Sequence, residues 1–491
     1  MSQKSMALAI AHAQQHIDDH KAQVSAGVMR QEYHFMGQTG WINDPNGLIW
    51  FRGQYHIFYQ FNPYSGFWGR MFWGHAVSDD LFHWRYLPIA LAPSEWYDDH
   101  PQGGCFSGSA IVKDERLYLL YTGTSNNGRG FEQNQCLAWS DDGIHFNKYE
   151  GNPVISAPEG VSHDFFRDPK VWEHEGAYYL ICGAQRHGQA CVLLYRSDDL
   201  VHWQFLNNMA ESRGEWGYMW ECPDFFKLGD RYVLFCSPMG AGERTVVYFI
   251  GDFDYRTGRF CYTTNGEIDW GFDFYAPQTF LDGSGRRIML AWANCWDWMP
   301  FWKDWGPTYR EGWCGSFCLP REVRLEGQDE LAFEPVRELS LLHVDPYESE
   351  HMVVGVEPTD IPVSDGVHYD LSFSIDLVTT TADVVELHMR ADKQHETVCY
   401  LDLKRALMVV DRNRADEWSK GATRSSLTGV RNAALSVRIV SDRTSLEIFA
   451  DDGRVCHSLN IFPKNGCNEF TISTQGGEAN LLGLRSYGVR I

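Results

Sequence analysis

From Tyr33 onward the apolar residues fall in short runs broken by turn signals, the pattern of a chain built from strands. His56-Ile57-Phe58-Tyr59-Gln60-Phe61 and Gly74-His75-Ala76-Val77 are two such runs. A run is often followed by the same closing motif: Ser78-Asp79-Asp80, Ser140-Asp141-Asp142 and Ser197-Asp198-Asp199, spaced 62 and 57 residues apart. Recurrence at a near-fixed interval predicts a propeller or solenoid. The Asp pairs are read as hairpin turns, because Asp bonds its own backbone in turns.

A second recurrence sets a proline beside an acidic or aromatic residue just ahead of a strand. The instances are Asn43-Asp44-Pro45, Arg167-Asp168-Pro169, Glu221-Cys222-Pro223 and Tyr275-Ala276-Pro277. Counting strand groups from Trp41 to Leu325 gives five units of about four strands, starting near Asp44, Ser107, Asp168, Glu221 and Tyr275. This predicts a five-bladed propeller over residues 33–325, with inner strands facing a central funnel. A linker over 326–346 follows, including a short helical turn near Phe333 to Leu339. From 347 to 491 strict alternation, as in Tyr369-Asp370-Leu371-Ser372-Phe373, predicts an all-β sandwich. Residues 1–32 are expected to form a helical extension, with the helix reaching about Val24.

Composition narrows the function. A net charge of −23 argues against nucleic acid or an anionic membrane as partner, since both call for basic patches. The 19 Trp suit stacking on sugar rings, but they also fill cores. Thirteen Cys without regular spacing read as small buried hydrophobes of a reducing compartment, and Cys314 and Cys318 lack the partners of a zinc site. The apolar stretch Met6 to Ala11 is too short for a signal peptide, and no run reaches about 18 apolar residues, so a cytoplasmic chain without a membrane span is expected.

Three carboxylates at repeated positions suggest glycosidic cleavage, in which one acid attacks and another protonates the leaving group. Asp44 is the nucleophile candidate, with Asn43 beside it. Glu221 is the acid candidate, in an apolar setting of Trp220, Cys222 and Phe225. Asp168 follows Arg167, whose charge is expected to keep it ionised. The alternative reading, in which Asp168 and Glu221 only cap strands or pair with bases, fits three equivalent placements poorly.

Trp41-Ile-Asn-Asp-Pro-Asn-Gly47, Phe106-Ser-Gly-Ser109, Arg167-Asp-Pro-Lys-Val171, Glu221-Cys-Pro-Asp224 and Phe274-Tyr-Ala-Pro-Gln278 together resemble glycoside hydrolase family 32, the invertases, β-fructofuranosidases and sucrose-6-phosphate hydrolases. The resemblance covers nearly everything past residue 33. It implies a propeller plus sandwich, and a retaining mechanism without metal or cofactor. It also implies Asp44 as nucleophile, Glu221 as acid/base and Asp168 as transition-state stabiliser. Asn43, Gln60, Trp68, Phe106, Ser107, Arg167, Tyr275 and Trp292 match residues lining the fructose subsite, and Trp313 lies in another family stretch.

The implied substrate is sucrose or a short fructoside. Sucrose 6-phosphate is an alternative, for which Arg129, Arg186, Lys303 and Arg310 are candidate phosphate ligands. Fructosyl transfer would use the same three acids, and a non-catalytic sugar-binding propeller is a remoter reading. The aromatic segment Cys295 to Trp305 departs from the family pattern; it is expected to wall the pocket near the leaving group, with Trp298 and Trp302 as candidates. Exposed sandwich edges leave a homo-oligomer open.

Overall fold

The computed structural model describes residues 2–126, 130–300 and 303–491. Five antiparallel sheets follow one another along the chain. Their inner strands are Gly40–Phe51, Cys105–Lys113, Val161–His174, Met219–Leu228 and Tyr275–Leu281. Each inner strand packs against the next, and the fifth packs against the first, so the sheets close into a five-bladed ring. The ring is latched by Trp313–Cys314, which pairs in parallel with Gly40 and Trp41 of the first blade. Trp313 therefore belongs to the closure, where it lies under the Arg30 guanidinium and donates to Glu311.

The fifth blade is finished by Arg321–Glu326 and Glu330–Pro335. The stretch read as linker from residue 326 thus includes the blade's outermost strand. Arg324 to Leu325 pairs with Leu331 to Ala332, and cross-strand pairing outweighs the local turn signal of Phe333-Glu334-Pro335. A 3₁₀ turn, Arg337–Leu342, leads to the sandwich, whose two six-stranded sheets enclose an apolar core that includes Leu371, Leu387, Ile439 and Ile472. Alternation along Tyr369–Asp376 and Val384–Ala391 places one face of each strand in that core.

The Ser-Asp-Asp motifs are turns. In each, the second Asp accepts backbone N–H groups two and three residues on, and also meets the Nδ1 of a following His; Asp80 with Phe82 and His83 is one instance. Asp142 with His145 and Asp199 with His202 repeat the arrangement.

Propeller and sandwich meet through buried charges. Arg321 donates to Asp269, Glu447 and Ser458, and Arg412 to Asp273. His34 bridges Asp442 at 2.8 Å and Glu447 at 3.1 Å. The N-terminal helix, Ser2–Ser25, buries Met6, Ala13, Ile17 and Val24 against the propeller. No helix among the described residues is long and apolar enough to cross a membrane.

Candidate active site

All five inner strands slip out of register at the same level. The breaks fall between Ile42 and Pro45, Phe106 and Gly108, Arg167 and Lys170, Glu221 and Asp224, and Tyr275 and Gln278. In three blades a proline, Pro169, Pro223 or Pro277, sits in the break, where its missing N–H forbids continuous pairing, and in the first blade Pro45 closes the break. Asp168, Cys222 and Ala276 take positive φ values of 64°, 47° and 52° there, a conformation that costs about 1–3 kcal/mol for a non-glycine residue. Bulges of this kind re-aim side chains, and here they turn two successive residues per blade towards the funnel.

Two tiers result. Asp44, Asp168 and Cys222, each directly before a proline, form the first tier with Ser107 of the second blade. Ser107 Oγ donates to Asp44 Oδ2 at 2.6 Å, and the Cys222 thiol reaches the same oxygen at 3.5 Å and Asp168 Oδ2 at 3.6 Å. The backbone N–H of Cys222 also donates to Asp168 Oδ2, at 2.9 Å. One residue earlier in each blade lies the second tier. Arg167 donates through Nε and Nη2 to Glu221 Oε1 at 2.9 and 2.8 Å, while Tyr275 donates its hydroxyl hydrogen to Glu221 Oε2 at 2.6 Å.

Burial pushes the Asp44 carboxyl above the ordinary range, opposed by the Ser107 hydrogen bond and reinforced by the charge of Glu221. Its second oxygen, Oδ1, is buried without a well-formed hydrogen bond. Burial likewise raises Asp168, against the opposing charge of Arg167. The guanidinium is turned chiefly to Glu221 but lies 3.9 Å from Asp168, so its charge favours the Asp168 carboxylate, from further off than the chain adjacency suggests. Nor is Glu221 in an apolar setting. Trp220 points its indole N–H away to Trp216 O, and Phe225 packs between blades. Burial raises the Cys222 thiol well above its usual range, which suits a hydrogen-bond donor rather than a nucleophile.

These groups line one cavity of about 440 Å³, within the size range of small-ligand sites. Of the expected residues, Asn43, Asp44, Gln60, Trp68, Phe106, Ser107, Arg167, Asp168 and Glu221 line it. Asn43 is fixed by the indole N–H of Trp41 at 2.8 Å, and Gln60 donates to Cys105 O at 2.8 Å. Tyr275 reaches the site only through its hydroxyl. Trp292 does not line the cavity: it is fully buried one layer behind, against Trp41 and Tyr275, and Trp296 takes the place at the wall.

Other expectations also move. Trp298 donates to Phe272 O and lies under the Arg412 guanidinium at the sandwich, away from the cavity, because its ring packs with Trp305. Arg186, Lys303 and Arg310 are not in the lining, and Arg310 sits over Trp418. Arg129 and Trp302 lie outside the described residues. Gln133, His100, Phe131 and Phe165 line the cavity without having been anticipated. Gln133 carries a readable signal, a polar residue inside the strand Phe131–Ser140; it accepts from Arg167 Nη1. His100 carries none, since it stands in an irregular loop.

Comparison with known proteins agrees with this architecture. Residues 34–335 match the model of the glycosyl hydrolases family 32 N-terminal domain, and residues 339–487 that of the family's C-terminal domain. The sucrose-6-phosphate hydrolase of Bacillus subtilis is 36% identical over 91% of this chain and 92% of its own. A raffinose invertase of Escherichia coli is also 36% identical, over 91% and 93%. The β-fructofuranosidase of Bombyx mori, solved in complex with sucrose, superposes with a TM-score of 0.83 at 32% identity, covering 98% of both chains. Through both its propeller and its sandwich, this chain belongs to glycosyl hydrolase family 32.

Proposed function

We propose that the protein is a retaining β-fructofuranosidase that releases fructose from the non-reducing end of sucrose and short related fructosides. In the first step the carboxylate of Asp44 attacks the anomeric carbon of the fructosyl unit. Glu221 protonates the departing glycosidic oxygen as that C–O bond breaks. In the second step Glu221 takes a proton from water, whose oxygen displaces Asp44 and yields fructose. Asp168 holds ring hydroxyls and opposes the positive charge that builds on the ring in both transition states.

The observation that carries this reading is the meeting of three carboxylates from three blades on one cavity, with the Cys222 thiol between Asp44 and Asp168. Arg167 and Tyr275 together hold the Glu221 carboxylate in a single orientation, as proton transfer to a fixed oxygen requires.

An uncharged leaving group fits better than a phosphorylated one. Among the described residues Arg167 is the one Arg or Lys in the lining, and it is paired with Glu221; Asp44, Asp164, Asp168 and Glu221 stand around it. Thirteen free thiols, none of them paired, fit residence in a reducing cytoplasm. A hydrolase rather than a transferase is distinguished by the ratio of glucose to fructose released at high sucrose.

Trapping tests the mechanism. With β-fructosyl fluoride, whose leaving group departs without an acid, the Glu221→Gln variant should accumulate a fructosyl adduct on Asp44 by mass spectrometry. An adduct elsewhere, or steady turnover with inversion at the anomeric carbon, would sink the proposal.

A further inference from the structure

Four rings line one side of the cavity in a row. Trp68 meets Phe106 edge-on at 6.2 Å, Phe106 meets Phe131 at 5.8 Å, and Phe131 meets His100 edge-on at 4.8 Å. Phe106 is the chain neighbour of Ser107, which is bonded to Asp44, so the row passes beside the acids at its second ring and runs on through Phe131 to His100. His100 is its outer end. A fructosyl ring held at Asp44 and Asp168 would direct the next sugar along this row.

His100 is also held in one orientation. Its backbone N–H donates to Thr124 O at 3.1 Å, and its carbonyl accepts the N–H of Gly103 at 3.1 Å. Its ring Nδ1 accepts the backbone N–H of Gln102 at 3.1 Å. With Nδ1 committed as an acceptor, the ring proton lies on Nε2, and that N–H has no hydrogen-bond partner among the described residues, which leaves it to serve a ligand. A fixed N–H at the far end of an aromatic wall matches a sugar hydroxyl, which accepts such a bond while the apolar ring face lies on the wall.

We propose that His100 is a specificity-determining residue, its Nε2–H donating to a hydroxyl of an uncharged hexosyl leaving group. The proposal rests on the fructosidase reading above and names the substrate class within it: a neutral disaccharide such as sucrose rather than its phosphate ester. A phosphate would bring negative charge into a cavity already lined by four carboxylates.

The test compares the full-length enzyme with its His100→Ala and His100→Gln variants on sucrose and on methyl β-D-fructofuranoside, which has the fructosyl unit but no second sugar. His100→Ala should raise KM for sucrose about five- to tenfold, the value of one hydrogen bond, with kcat little changed. Its kinetics on the methyl fructoside should stay within about twofold of wild type, and His100→Gln, which retains a donor, should recover most of the sucrose KM. Equal losses on both substrates, no loss on sucrose, or a wild-type preference for sucrose 6-phosphate over sucrose would each overturn the proposal. Failure of the wild type to cleave either fructoside would instead remove the fructosidase reading, and this proposal with it.

Discussion

Tyr275 of the fifth blade donates to the Glu221 carboxylate of the fourth at 2.6 Å, on the oxygen that Arg167 of the third blade leaves open. The third and fifth blades thus fix one side chain of the fourth. A hydrogen bond to a charged group contributes about 1.5–3 kcal/mol. Tyr275→Phe should therefore lower kcat on sucrose by about ten- to a hundredfold with the fold intact; an unchanged kcat would show that Arg167 alone orients the acid.

Ser107 governs the titration of Asp44. Burial raises the Asp44 carboxyl and the Ser107 hydroxyl opposes that rise. Removing the hydroxyl should raise it further, so more base is needed to keep the attacking carboxylate ionised. Ser107→Ala is expected to move the acid limb of the kcat/KM profile to higher pH. A limb that stays in place, or moves down, would separate Asp44 ionisation from that limb.

The His34 clamp predicts the pH dependence of stability. Burial alone would lower His34, but hydrogen bonds with Asp442 and Glu447 raise it to about 9, from an ordinary 6.5. The folded state therefore binds the proton more tightly than the unfolded chain. Its contribution, about 3 kcal/mol, is fully present below pH 6.5 and is lost as pH rises through about 9. Asp442, held down to about 2 by the His34 hydrogen bond against its burial, contributes above about pH 3.8 and loses its part as pH falls through about 2. Thermal melts between pH 6.5 and 9 should show the fall in Tm, and His34→Gln should flatten it.

Trp298 and Trp296 sit two residues apart and should behave differently. Trp298 packs under Arg412 at the sandwich, so Trp298→Ala should cost about 3 kcal/mol of stability and leave KM for sucrose within about twofold. Trp296 lines the cavity, so Trp296→Ala should change KM. Kinetics and melting curves on the two variants check this, and a KM effect at Trp298 would place it back at the leaving group.

Much of this site could be read before any coordinates. Asp-Pro, Cys-Pro and Ala-Pro at blade spacing record a backbone event, the bulge, which each blade's own sequence encodes. That is why four of the five unit starts were legible, with Asp44 and Asp168 among them; Glu221 stands one residue ahead of the bulged Cys222, level with Arg167, and not at the place equivalent to the two aspartates as the sequence suggested. What a bulged side chain then touches lies in another blade, and local sequence holds no trace of it. Arg167 is adjacent to Asp168 in the chain yet bonds Glu221, because the bulge turns neighbours to different tiers. Trp292 ends a strand facing inward but stops behind Trp296, which arrives from the following loop. The outermost strand of the fifth blade was hidden by Pro335, a turn former that here only terminates the strand.

The latch formed by Trp313–Cys314 on Gly40–Trp41 has a consequence for biosynthesis. The first blade leaves the ribosome early, but its inner edge has no partner until the fifth blade has emerged. The ring that brings the nucleophile of the first blade and the acid of the fourth onto one cavity is closed by that last segment. Activity should therefore arise late and all at once, and nascent chains released short of residue 313 should depend on chaperones while remaining inert towards sugar.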